Sequence, residues 1–385
     1  MLRLLTAGES HGHSLVAVLE GLPAGIYIDD ALINHELKRR QHGHGRGKRM
    51  TIEHDEITIA SGMRLGRTTG APVSLTIRNH DFENWQDVMN IAPRRRSNKV
   101  AVRVTCPRPG HADLPGLMKY GHEDIRDVIE RASARETAIR VAAGALCKQF
   151  LKLFGILFYS HTVAIGTVSI LHRTRRLQIL DSTPLRCSAP DAEAKMLRLI
   201  DQAQVRGDSL GGISEVIARN VCPGLGSYVH YDRRLDAKIG LAMLSIPSVK
   251  GLEIGPAFAN SAKSGANVQD EIFYKKSMGF YRKTNRAGGI EGGMTNGEDI
   301  VIRLIVKPVP TLSQPLVSVN IYNKKKECAH RERADTCVVP AAGVIGEAML
   351  AYLIADAFLE KFGSDSIDDI TKSYHRYKKR IENGS

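Results

Sequence analysis

Aromatic side chains are scarce in this sequence, at 5 % with a single tryptophan. That is too few to give the basic runs Arg94–Arg96 and Lys324–Lys326 and the basic C-terminus the stacking platforms of a nucleic-acid binder. Paired cysteines are also lacking. Cys106, Cys147, Cys187, Cys222, Cys328 and Cys337 are scattered with no CxxC, which excludes a zinc ribbon and fits reduced thiols in a cytoplasmic protein. No apolar run reaches the roughly 18 residues of a membrane span. The best candidate, Val338 to Leu359, is interrupted by Glu347 and Asp356 and reads as a buried helix. "MLRLLTAGESHGHS" turns polar where a secretory h-region would continue. No G-x-G-x-x-G, P-loop, HxxxH or HExxH occurs, so neither a nucleotide fingerprint nor a metal pair is expected. With no low-complexity linker, one large domain over residues 1–363 is expected, followed by a mobile basic tail, 364–385.

What is present is positive charge on an ordinary globular background. Against 43 % hydrophobic residues, 54 Lys+Arg and 41 Asp+Glu leave a net charge of +13, which calls for anionic partners. "MTIEHDEITIASG" and "APVSLTIRN" alternate apolar and polar residues as antiparallel strands do, and "GGISEVIARNV" and "EDIVIRLIVKPV" repeat the pattern later. "HEDIRDVIERASARETAIRVAAGALCKQFLKLFG" reads as one long helix, "DAEAKMLRLIDQAQ" as a short helical excursion, and "VVPAAGVIGEAMLAYLIADAFLEKFG" as an apolar helix stopped by Gly363. Strands followed by helices in both halves predict a mixed α/β chain with internal duplication.

Several short segments concentrate groups suited to chemistry. "RRQHGHGRGKR" (39–49) has no acid. It can be a solvated basic loop, or a wall on which Arg40, Arg46 and Arg49 present planar forks to an anion while glycines let the backbone approach. "GESHGHS" exposes Ser10 and His11 in a glycine-flanked turn, and "PRPGHADLPG" sets His111 beside Arg108; both suit acid–base groups near an anion. In "ERASARET", Arg131 and Arg135 are four apart and are expected to share a helix face. Ala132, Ser133 and Ala134 between them leave room for a ligand, and Glu136 in the apolar stripe requires a cation, with Arg140 nearest. In "RADTCVVP", Asp335 is either a helix cap or turn residue, or a carboxylate base beside Arg333. "KPVPT" (307–311) is a proline-stiffened loop whose backbone can face a ligand.

These segments, with "RPGHADLPGLMKYGHEDIRD", "GGIEGGMTNGEDI" and "RADTCVVPAAGVIGEAML", occur in the order seen in chorismate synthases, and the chain resembles that family from near residue 1 to about residue 360. The resemblance implies a layered α/β sandwich of antiparallel sheets and helices with internal pseudo-duplication, assembled as a homotetramer. It implies the anti-1,4-elimination of phosphate from 5-enolpyruvylshikimate 3-phosphate to give chorismate, using reduced FMN without net redox change. By the family's motifs His11 protonates the leaving phosphate, His111 protonates reduced flavin, and Asp335 prepares the flavin as the base. Ser10, Arg40, Arg46, Arg49, Arg108 and Arg135 fall to the substrate. Arg131, Ala132, Ser133, Pro247, Ser248, Gly292, the loop of Lys307, Pro308, Val309, Pro310 and Thr311, and Arg333 fall to FMN. The chain departs from the family's usual pattern at Ala132 (in "RASARET"), at His44 (in "GHGR") and in "SIPS" (245–248). Lacking a nucleotide fingerprint, it is expected to take FMN reduced by an external flavin reductase, with NADPH entering only indirectly. A substrate of about four negative charges accounts for the arginines. The rival is a basic nucleic-acid-binding protein.

Overall fold

The computed structural model describes residues 1–47, 52–92, 103–170, 181–276 and 279–382. Arg49 and the Arg94–Arg96 run lie outside them.

The N-terminal sheet is antiparallel, in the order β1 (Arg3–Ala7), β2 (Ser14–Glu20), β4 (Val73–Arg78), β3 (Ile57–Ile59). Alternation decides its faces. Leu15, Ala17 and Leu19 of β2 stand opposite Ile77, Leu75 and Val73 of β4, and all six are buried. The C-terminal sheet runs β8 (Val249–Ile254), β9 (Ile300–Val306), β7 (Gly212–Arg219), β5 (Leu157–Ile165), β6 (Val168–Ser169), again antiparallel.

Helices fill the space between the sheets. α1 (Asp30–Gln41) and α4 (Thr137–Lys152) lie on the N-terminal side, and α7 (Val339–Phe362) packs on α4 and on the C-terminal sheet. The arrangement of one sheet backed by one long helix thus recurs in both halves. Small residues set the spacing: a Cβ on Gly144 would lie 2.5 Å from that of Ala348, and one on Gly346 would lie 2.8 Å from Val216. α7 is long and apolar enough to cross a membrane, but 94 % of that window is buried inside the protein.

Two expectations change. The predicted long helix breaks at Ser133, whose backbone is extended between α3 (Arg126–Ala132) and a short 3-10 turn, Ala134–Glu136, that leads into α4. Arg131 and Arg135 therefore do not share a face. The predicted mobile tail is instead α8 (Ile367–Glu382), anchored by buried Ile370 and Tyr374. Tyr374 packs its ring on Phe154, Phe358 and Phe362, so four-residue spacing of apolar groups outweighed a mostly basic composition. Further helices are α2 (Asp113–Tyr120), α5 (Pro190–Val205), which is the predicted excursion, and α6 (Leu235–Leu244).

Candidate active site

Loops from both halves meet over the N-terminal end of α7 and enclose a cavity of about 290 Å³. The β1–β2 turn brings Ser10 and His11, the end of α1 and the following loop bring Arg40, Arg46 and Gly47, and the loop before α2 brings Arg108 and His111. The break after α3 contributes Ala132 to Arg135. Pro247 and Ser248 come from the turn before β8, Lys307 and Val309 to Thr311 from the loop after β9, and Arg333 to Asp335 from the approach to α7. Residues far apart in the chain converge here because the loops at one end of the central helices all open on the same side.

Arg40, Arg108 and Arg135 of the wall are buried, each within 3.6 Å of a carboxylate: Asp55, Asp113, and Asp55 with Glu53. Arg135 donates to Asn79 Oδ1 and, at 2.5 Å, to Asp55. Arg40 donates to Thr137 Oγ1 and the Ala134 carbonyl; its buried Nη1 makes no hydrogen bond and lies 3.6 Å from the same Asp55. Burial, and then the charges of Arg135 and Arg46, outweigh the pull of Asp55 and push Arg40 down to about 10. An anion entering here relieves that repulsion. The first turn of α7 also lines the cavity, so the positive end of its dipole is directed toward a bound anion.

Each candidate acid–base group is oriented by a partner. His11 Nδ1 lies 3.0 Å from Glu130, which also accepts the His11 backbone N–H at 2.8 Å. The ring stacks on Trp85 with centroids 3.9 Å apart. His111 Nδ1 lies 2.5 Å from Asp113, a carboxylate that also receives the Arg108 fork. Burial works to raise the Asp113 carboxyl, but His111 and Arg108 hold it well below the usual range. Asp335 accepts the Gly47 N–H at 2.6 Å and pairs with Arg46 at 2.9 Å. Asp335 does not cap α7, whose N-terminus has no side-chain cap among the described residues.

Among the other candidates, Ser248 holds the wall in a left-handed conformation (φ 70), its carbonyl accepting Lys307 N–H. Lys307 Nζ in turn donates to the Gly110 carbonyl, and Arg333 pairs with Asp81. Arg131 turns away to the Gly8 and Thr6 carbonyls, a consequence of the break at Ser133. Gly292 sits on an exposed hairpin tip, and neither Gly292 nor Pro308 lines the cavity. Glu136 is paired with Arg140, the partner its burial required. The carboxylates Asp55, Asp113 and Glu130, with Asn79 and Trp85, escaped the sequence reading. The available signal was acids falling within otherwise apolar or glycine-flanked segments: "HAD" at 111–113 and "IER" at 129–131.

A family model described as chorismate synthase matches residues 2–359. The chorismate synthase of a Thermus thermophilus strain is 50 % identical over 382 residues, covering 99 % of both chains. That of Carboxydothermus hydrogenoformans is 49 % identical over 387 residues, with both chains fully covered. A solved structure titled "Crystal Structure of Chorismate Synthase" superposes with a TM-score of 0.80 at 38 % identity, covering 99 % of this chain and 98 % of the other. On the match of sequence, fold and site-bearing motifs, this chain belongs to the chorismate synthase family.

Proposed function

We propose that the chain performs the reaction of its family, removing phosphate from 5-enolpyruvylshikimate 3-phosphate to give chorismate. The observation that carries this is the single cavity in which His11, His111 and Asp335, from three distant segments, face buried Arg40, Arg108 and Arg135. A phosphorylated dicarboxylate suits a cavity on which several guanidinium groups converge. A nucleic-acid clamp would display its arginines; here they are enclosed.

The residues present also suit FMN. Ala132, Ser133 and Ala134 with Ile129, Ala341, Ala342 and Ile345 give a wall of small and apolar groups that a flat ring can cover, beside Lys307 and Arg333 for a phosphate. Reduced flavin, when bound, lends electron density to the substrate and recovers it, so no net oxidation results. The chain's own part is to bind and to handle protons. Arg40, Arg46 and Arg135, with Ser10, fix the anionic substrate. His11, held by Glu130 through Nδ1, presents Nε2 as the proton donor to the departing phosphate. Asp113 similarly fixes the His111 ring. Arg46 and the Gly47 N–H hold Asp335 as a carboxylate at the cavity edge, ready to accept a proton.

The same reading assigns the chain to the cytoplasm, where its six unpaired cysteines suit a reducing environment. Leu5 and Val18, paired across β1 and β2, are exposed on the outer face of the N-terminal sheet and support assembly, proposed as a homotetramer. Reduced FMN is proposed to come from a separate flavin reductase that uses NADPH. The decisive assay is anaerobic formation of chorismate and phosphate with photoreduced FMN. Turnover is expected with reduced but not oxidised flavin, and Asp335→Asn should lower kcat by about 10²-fold or more. Folded, substrate-binding protein without turnover would overturn the proposal.

A further inference from the structure

We propose that Glu130 is a positioning residue for His11, which fixes the ring's tautomer and retains on it the proton delivered to the leaving phosphate, while Trp85 clamps the ring in place. The delivery step rests on the reaction proposed above; the clamp does not. Glu130 is nearly fully buried on α3 and has both oxygens 3.0 Å from His11 Nδ1. Its backbone carbonyl accepts the Ser10 N–H at 2.9 Å and its side chain the His11 N–H, so one residue grips the whole turn. A carboxylate at Nδ1 requires the proton on that nitrogen, which leaves Nε2 to exchange protons with a ligand. Glu130 is held below the usual carboxylate range despite its burial, chiefly by the His11 hydrogen bond and charge, and so remains an anion beside the ring.

Arg126, one turn before Glu130, shares its carboxylate at 3.1 Å and lies 5.0 Å from the Trp85 ring centroid. Arg126 is also neutralised by Glu332, which His330 contacts at 2.9 Å. Asp81 senses the His11 charge, and Arg333 engages it. A carboxylate at Nδ1 and an indole face against the ring together hold the imidazole in one orientation, with Nε2 left to deliver a proton as phosphate begins to leave.

Because Trp85 is the sole tryptophan and stacks directly on His11, its emission reports the ring's charge, as a protonated imidazole quenches a contacting indole. The emission of the full chain, without flavin or substrate, is titrated with pH in the wild type, Glu130→Gln, Glu130→Asp and His11→Asn. The transition is expected to move about one pH unit lower in Glu130→Gln, a tenfold weaker hold on the proton. It should move less in Glu130→Asp and vanish in His11→Asn. With reduced FMN and substrate, Glu130→Gln should lose about tenfold in kcat at pH 8 with KM within about twofold, and the deficit should narrow toward pH 6, where solvent protons restore the charged ring. An unmoved transition in Glu130→Gln, one that survives in His11→Asn, or a kcat loss equal at every pH would overturn the assignment. A moved transition in a protein without turnover would sustain the clamp and sink the proposed reaction instead.

Discussion

Arg39 and Arg40 are consecutive at the end of α1, yet their side chains enter opposite electrostatic environments. Arg39 donates to Glu36, Asp181 and Glu347 at once. Lys148 and Arg186 complete that cluster around the fully buried Glu347, with Ser160 donating at 2.6 Å. Burial works to lower the Arg39 guanidinium, but Glu347 and Glu36 hold it above its ordinary value. Arg40, across the helix, shares Asp55 with Arg135 and falls to about 10. The Glu347 cluster ties α1, α4, α7 and β5 together. Arg186 within it is likewise pushed down to about 10, chiefly by burial, so what separates the two sites is that Arg40 lines the cavity and Arg186 does not.

Glu347→Ala should have the largest effect. It removes the fully buried partner shared by Arg39, Lys148 and Arg186 and is expected to cost about 3–5 kcal/mol of stability in denaturant unfolding. A loss below about 1 kcal/mol would show that the cluster is not a lock. Arg40→Met should do the reverse. It removes an underpaired cation, so stability should stay within about 1 kcal/mol of wild type. Inorganic phosphate should raise the Tm of the wild type and leave that of Arg40→Met unchanged. Retention of that rise would mean that Arg40 is not part of the anion site.

The smallest expected effect is a dependence on pH. Glu36 is lowered from its ordinary 4.5, Lys148 and Arg39 outweighing its burial. A carboxylate depressed in the folded state stabilises above its ordinary value and loses that contribution as pH falls through the folded one. Glu36→Gln should therefore cost about 1–2 kcal/mol at pH 7 and progressively less below pH 4.5. A deficit that stays constant down to acid pH would remove Glu36 from the cluster's charge balance.

Much of the chemistry was legible along the chain because it resides in short segments whose composition is unusual: glycine-flanked His11, the acid-free loop carrying Arg40 and Arg46, and "KPVPT". Strand alternation in "APVSLTIRN" likewise announced the inner face of β4 in the N-terminal sheet. The arginine pair of "ERASARET" was misread because periodicity carries no mark of a break. Ser133 is compatible with a helix, but in the fold its backbone is extended, and Arg131 then donates to the Thr6 and Gly8 carbonyls while Arg135 donates to Asn79 and Asp55. The tail was misread for a related reason: Ile370 and Tyr374 are spaced for a helix, but the rings that Tyr374 packs against lie on α7 and just beyond the end of α4.

By itself the sequence determined the kinds of groups available, the local elements they favour and, through the order of its motifs, the family. Only the tertiary structure decided which carboxylate meets which cation. Glu130 and Glu347 are both acids in apolar helices, and nothing local distinguishes them; one orients His11 and the other is locked among Arg39, Lys148 and Arg186. The reason is physical: in a low-dielectric interior the fate of a charge is set by whatever lies within a few ångströms, and across α3, α7 and the β1–β2 turn those neighbours are brought together by folding.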